Sequence, residues 1–144
     1  MPDTILATLV SLIATLNALH TVDHVVRGDL HWPLDGPSVA FVLITVATYG
    51  VLGFGLVWYR ARRVGPRFWT IVGGVGVAFG WLAHFSPWTD QPPAMIVAAY
   101  TSRLAGGLAL ACLLALMLLV LSVTVYAGGL WRATSHAGLQ SKME

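Results

Sequence analysis

Four apolar runs, each close in length to the thickness of a bilayer, constrain this chain more than anything else in it. A hydrocarbon core about 30 Å thick is crossed by about 20 helical residues. Residues 5–26, 38–59, 68–85 and 94–126 meet or approach that length. In lipid every backbone polar group must pair internally, so only helices and closed barrels can span. The runs are too long for strands and show no period-two alternation, which leaves helices. Composition agrees: 57% of the 144 residues are hydrophobic and 10% charged, against about 25% charged in a soluble domain. The expectation is an all-α integral membrane protein with an antiparallel four-helix transmembrane bundle over residues 1–130 and a polar cytoplasmic tail over 131–144.

Local signals mark the ends of the runs. Asp3 and Thr4 stand where an N-cap belongs, and Pro37 suits a first helical turn. "SPW" (86–88) stops the third run. The fourth run exceeds a span; residues 104–126 alone would cross, so 93–103 reads as a helical extension outside the hydrocarbon. The first run lacks a positive n-region and a small-x-small cleavage site, and so reads as a retained helix rather than a signal peptide.

Basic residues set the expected orientation. Arg60, Arg62, Arg63 and Arg67 lie between runs two and three, and Arg132 and Lys142 follow run four. The other side has Arg27 and Arg103 against Asp23, Asp29, Asp35 and Asp90. The positive-inside rule then puts both termini in the cytoplasm of a cell carrying the protein in its plasma membrane. Trp58, Trp69 and Trp131 fall at the inner boundary and Trp32 and Trp88 at the outer one. No basic patch with interleaved aromatics exists outside the one short loop, so nucleic acid is not an expected partner. The single cysteine, Cys112, excludes an intrachain disulfide or a CxxC motif and reads as a packing residue.

Small residues let helix backbones approach where lipid is as apolar as leucine. Gly76 and Gly80 have GxxxG spacing, with Gly73 on a neighbouring track; run two offers Gly50, Gly53 and Gly55, and run four Ala105, Gly106, Gly107 and Ala109. Such faces suit a compact bundle, a homo-oligomer or docking into a larger membrane complex.

The chemistry collects in "LHTVDHVVRGDLHW", residues 19–32. At 100° per residue, Asn17, His20, Thr21, His24 and Arg27 share a sector about 120° wide. A polar stripe of that width faces the bundle interior or a cavity rather than lipid. Histidines at i and i+4 can ligate one ion, and His84, near the end of run three at matching depth, supplies a third imidazole. The ligand types suit zinc, copper or iron, or haem held between His84 and one of the pair, better than magnesium or calcium. Asp23 is the adjacent carboxylate and candidate catalytic base; Tyr100 and Arg103, three apart, are expected on one helix face with Asn17 and Arg27 as ligand-binding groups. Asp29, His31 and Asp35 are expected in solvent. The bland alternative is a purely structural network that fixes helix register, with Asp23–Arg27 and Asp90–Arg103 as ion pairs.

"HTVDH" (20–24) resembles the H-x-x-E-H motif of inverted zincins with Asp23 in place of the glutamate, which implies zinc on His20 and His24 and water activation by Asp23. The H-x-x-x-H spacing also resembles that of seven-span zinc hydrolases of the ceramidase and progestin-receptor type. Each resemblance covers a few residues only. Three functions are therefore carried forward: a metal or haem centre with a redox or hydrolytic role, a non-catalytic accessory or assembly subunit, and a small transporter or lipid-binding protein with an outer polar pocket.

Overall fold

The structure, a computed structural model, describes residues 2–89 and 91–140. These residues form five helices and no strand: α1 Thr4–Arg27, α2 Gly36–Arg60, α3 Pro66–His84, α4 Pro93–Ala98 and α5 Arg103–Gln140. α1, α2 and α5 are each long and apolar enough to cross a membrane. α3, with 19 residues, is diluted by Gly73, Gly74, Gly76 and Gly80 and by Arg67 and His84 at its ends, and does not reach that measure.

The ends form for identifiable reasons. Asp3 caps α1 by accepting from the Leu6 N–H at 2.7 Å, and Asp35 caps α2 by accepting from the Ser38 N–H at 2.9 Å. That bond, first among several, holds the Asp35 carboxyl below its ordinary value of 3.8. A carboxyl that is a stronger acid in the folded state stabilises the cap above the ordinary pKa and stops doing so as pH falls through the lowered one. Amide-exchange protection at Ser38 is therefore expected to be constant from neutral pH down to about 4 and to collapse below it. A protection factor unchanged at pH 2 would contradict this account.

α1 and α2 end in the same hydrogen-bond motif. Gly28, at φ 97°, turns the chain so that its own N–H reaches the Val25 carbonyl and that of Asp29 reaches His24. Arg62, at φ 59°, does the same work after α2, with its N–H on Tyr59 and that of Arg63 on Trp58. A left-handed backbone is free for glycine but costs a residue with a Cβ roughly 1–2 kcal/mol.

Neighbouring helices run antiparallel. Along the α1–α5 contact, Asp3 meets Tyr126 and Asp23 meets Tyr100, with the Cys112 thiol near the Leu16 carbonyl between them. α2 follows α1 from Tyr59 near Asp3 to Phe41 near His24. α3 packs most extensively on α5, where Gly73, Gly76 and Gly80 lie against Thr124, Val120 and Met117. All three glycines thus share one face, whereas the spacing had placed Gly73 beside it. The core runs through Leu6, Val10, Trp69, Val123 and Ala127.

Two boundaries of the fourth run differ from expectation. A continuous helix from residue 93 is instead broken at residues 99–102 into α4 and α5. The break lets α4 fold back onto the start of α5, and Gly106 makes room for it: a Cβ there would stand 2.5 Å from the Val97 carbonyl oxygen. At the other end α5 continues as helix to Gln140, through most of the expected polar tail.

The outer surface is apolar. Phe54, Leu43, Leu104 and Val125 are all more than 60% exposed. A surface of this kind covers far more than the few hundred Å² of apolar patch that a soluble monomer tolerates, and has the character of a membrane protein's lipid-facing wall.

Candidate functional site

At one end of the helices, opposite the arginine-bearing end, three imidazoles converge. The His20 and His24 Nε2 atoms are 3.1 Å apart, and one ring nitrogen from each of His20, His24 and His84 lies within 4.8 Å of the others. Ring centroids are separated by 4.5, 5.2 and 5.6 Å. The α-helical repeat stacks His20 and His24 on one face of α1, and the glycine contact of α3 with α5 brings His84 alongside. His20 is 9% and His84 5% exposed.

Asp29 was expected in solvent and is not there. The Gly28 turn carries it back over the end of α1, where its Oδ2 sits 2.5 Å from His24 Nδ1 and accepts from Gln91 Nε2 at 3.1 Å. Burial pushes the Asp29 carboxyl up, but the His24 and Gln91 hydrogen bonds outweigh it and hold the group below its ordinary value. As a carboxylate it can only accept, so a proton is assigned to His24 Nδ1, and in the neutral ring the lone pair is then on Nε2.

With both rings neutral, His20 has two states. A proton on its Nε2, donated to His24, strands its buried Nδ1, which has no hydrogen-bond partner, at a cost of about 1–3 kcal/mol. A proton on Nδ1, 3.8 Å from Asp23 Oδ2, leaves two lone pairs facing each other across 3.1 Å. A metal ion between them, or a second proton on His24 Nε2, makes the second state favourable. In a tetrahedral site with nitrogens 2.0–2.1 Å from the ion, ligand atoms are about 3.3 Å apart. The α1 pair meets that spacing already, and His84 needs to close by no more than about 1.5 Å. His84 Nδ1 is also buried without a partner.

Around this core lies an ionic network. Arg27 donates from Nε to Asp23 Oδ2 and from Nη1 to Gln91 Oε1, both at 3.1 Å; its Nη2 lies 3.2 Å from His24 Nδ1, a contact without a hydrogen bond while that nitrogen carries the proton shared with Asp29. Tyr100 donates its hydroxyl to Asp23 Oδ1 at 2.6 Å. Burial, then the bond to Asp23, pushes the Tyr100 hydroxyl up to about 12, so it stays a neutral donor. Both Asp23 oxygens are thus engaged, which makes it an orienting group for Arg27 and His20 more than a free base. Asp23 and Asp29 against Arg27 leave a net formal charge of −1 around the imidazoles, a setting that attracts a cation.

The other expected residues divide. Asn17 lies one turn below His20 and its side chain makes no hydrogen bond with the described residues. Thr21 meets the Tyr49 hydroxyl at 3.3 Å. Arg103 is exposed at the start of α5 and does not join the cluster; the break at 99–102 separates it from Tyr100, so the shared face expected for the two does not form. His31 and Asp35 are exposed as expected, at 49% each, and Asp90 lies outside the described residues. Sequence reasoning missed Asp29 and Gln91. Gly28 was the available signal for the first, since a glycine after a helix returns the next residue to the last turn; nothing in the pattern marks Gln91.

Comparison of the chain with protein-family models, with curated proteins and with solved structures gives no match, so the geometry alone carries the functional reading.

Proposed function

We propose that this chain is a four-helix membrane protein that holds one transition-metal ion on His20, His24 and His84. In this reading α3 is the fourth span, completed across the membrane by its packing on α5, and the arginine end faces the cytoplasm with both termini. The ion then lies at the outer rim of the plasma membrane. The observation that carries the metal is the facing Nε2 pair of His20 and His24, backed on the far side of the rings by Asp23 and Asp29. Carboxylates placed behind ligating histidines fix their tautomers and raise their basicity.

Three imidazoles leave a fourth tetrahedral position for water or a substrate, the arrangement of zinc sites that do hydrolysis; copper or iron would give a redox role. The mutual contact of the three rings favours a single ion over haem, because a macrocycle must pass between its axial ligands.

Metal analysis of the purified full chain tests the proposal: about one zinc, copper or iron per protein is expected. Asp29→Asn is expected to weaken the ion by 10- to 100-fold while leaving the helices intact by circular dichroism. Unchanged affinity in that variant would detach Asp29 from the site.

One observation favours an accessory-subunit role as well. Only 6% of the most apolar stretch of α2 is buried, against 17% for α1 and α5, and Gly50 and Gly53 face open space. Recovery of a stoichiometric membrane partner with the native protein would support that reading, and a lone monomer would remove it.

A further inference from the structure

The arginine end carries a second polar feature, remote from the histidines. A groove of about 620 Å³ runs between the start of α1 and the end of α2, lined by Asp3, Thr4, Ala7, Thr8 and Ser11 on one side and Arg60 and Arg62 on the other. Among the described residues neither guanidinium has a carboxylate partner. The one carboxylate in the groove, Asp3, is already satisfied by the Leu6 N–H and the Tyr126 hydroxyl. From Asp3 to Ser11 the groove follows α1 for about 12 Å, from polar at the arginines to small and weakly polar at Ala7, Thr8 and Ser11.

Arg62 is the unusual member. It occupies the left-handed position of the α2 terminus, at φ 59°, where Gly28 does the same for α1. Glycine would hold that turn without strain. The chain instead keeps an arginine there, whose side chain lines the groove, and backbone strain of this kind collects where a side chain has a function. Arg60 ends α2, Arg63 lies in the same connection and Arg67 in the first turn of α3, and clusters of four or more basic residues at the end of a spanning helix attract anionic lipid. Arg67 is committed to the Trp131 ring, 5.3 Å from its centroid, and Arg63 does not line the groove.

We propose that this groove binds an anionic phospholipid, with its phosphate on Arg60 and Arg62 and the first part of an acyl chain against Ala7, Thr8 and Ser11. The guanidinium fork matches phosphate oxygens in pairs, as an ammonium cannot. The fall in polarity along the groove has the order of a lipid, headgroup first and hydrocarbon after.

The test uses the full chain, delipidated in mild detergent and titrated with phosphatidylglycerol or phosphatidylcholine, with bound lipid counted by native mass spectrometry and the thermal midpoint followed alongside. Phosphatidylglycerol is expected to bind at least fivefold more tightly than phosphatidylcholine. Arg62→Gly should lose about fivefold, the contribution of one arginine near a charged surface, while raising the midpoint of the lipid-free protein because the strain is gone. Thr8→Phe, which fills the groove without changing charge, should also lose binding, and Arg63→Gln should keep it. Equal losses in Arg63→Gln and Arg62→Gly, or full binding by Thr8→Phe, would reduce the effect to diffuse surface attraction and overturn the groove. Displacement of phosphatidylglycerol by millimolar inorganic phosphate would make the ligand a free anion and overturn the lipid. Neither result bears on the metal.

Discussion

Protein carrying His24→Ala is expected to emerge from purification without stoichiometric metal, its affinity for zinc reduced by more than a hundredfold. His24 is the member of the trio with its proton assigned by a carboxylate: Asp29 lies 2.5 Å from Nδ1, which frees Nε2 for the ion. Disturbing a partner behind a ligand costs 10- to 100-fold in affinity, and deleting the ligand itself must cost more. His20→Ala and His84→Ala should behave alike, whereas His31→Ala, an exposed imidazole outside the trio, should bind as the parent does. Metal content per protein and competition against a chelator of known affinity give the reading. A parent protein that takes up no ion, or a His24→Ala variant that keeps it, would end the proposal and leave the polar cluster as a device for helix register.

Arg27→Leu should produce the largest loss of stability, about 3–5 kcal/mol. Its side chain and that of Asp23 are each only 7% exposed, and removing one member of a buried pair strands the other charge, which is the expensive outcome. Arg27 also ties Gln91, and through it the connection after α3, to α1. The sign of the metal effect is informative. Without Arg27 two carboxylates remain beside the imidazoles, so a saturating divalent cation should recover part of the loss, and more than it adds to the parent. Arg103→Leu, exposed and outside the network, should stay within about 0.5 kcal/mol. Denaturation in mixed micelles, with and without zinc, measures all four quantities; an Arg27→Leu protein as stable as Arg103→Leu would contradict the network.

Much of this was visible in the chain because two rulers are physical. Bilayer thickness fixes how long an apolar run must be, and the 3.6-residue turn fixes which polar residues share a face. The first located α1 and α2 with ends within a few residues of those observed, and α5 without its true start or end; the second joined His20 to His24. The depth of His84 in its own run then brought it to the same level. The failures have one origin, in places where the chain turns back on itself. Asp29 reads as solvent-exposed until the Gly28 turn returns it to His24. Tyr100 and Arg103 read as one face because no glycine or proline lies between Met95 and Leu104 to announce a break. The fold-back at the break seats Gly106 against the Val97 backbone, two residues that periodicity does not connect. Residues 131–140 read as a tail because they are polar, yet polarity says nothing against a helix that has left the lipid.

The glycine contacts of α3 bear on the selectivity of the proposed metal site. With Gly73 and Gly80 seated against the Thr124 and Met117 side chains, the missing Cβ atoms of α3 help fix how far His84 stands from α1. The calibre of the opening between the imidazoles is thereby gauged from a distance: Gly73 is about 16 Å along the helix from His84. A methyl group added there would touch none of the three rings, yet would press on Thr124 and so shift discrimination among cations at the proposed site.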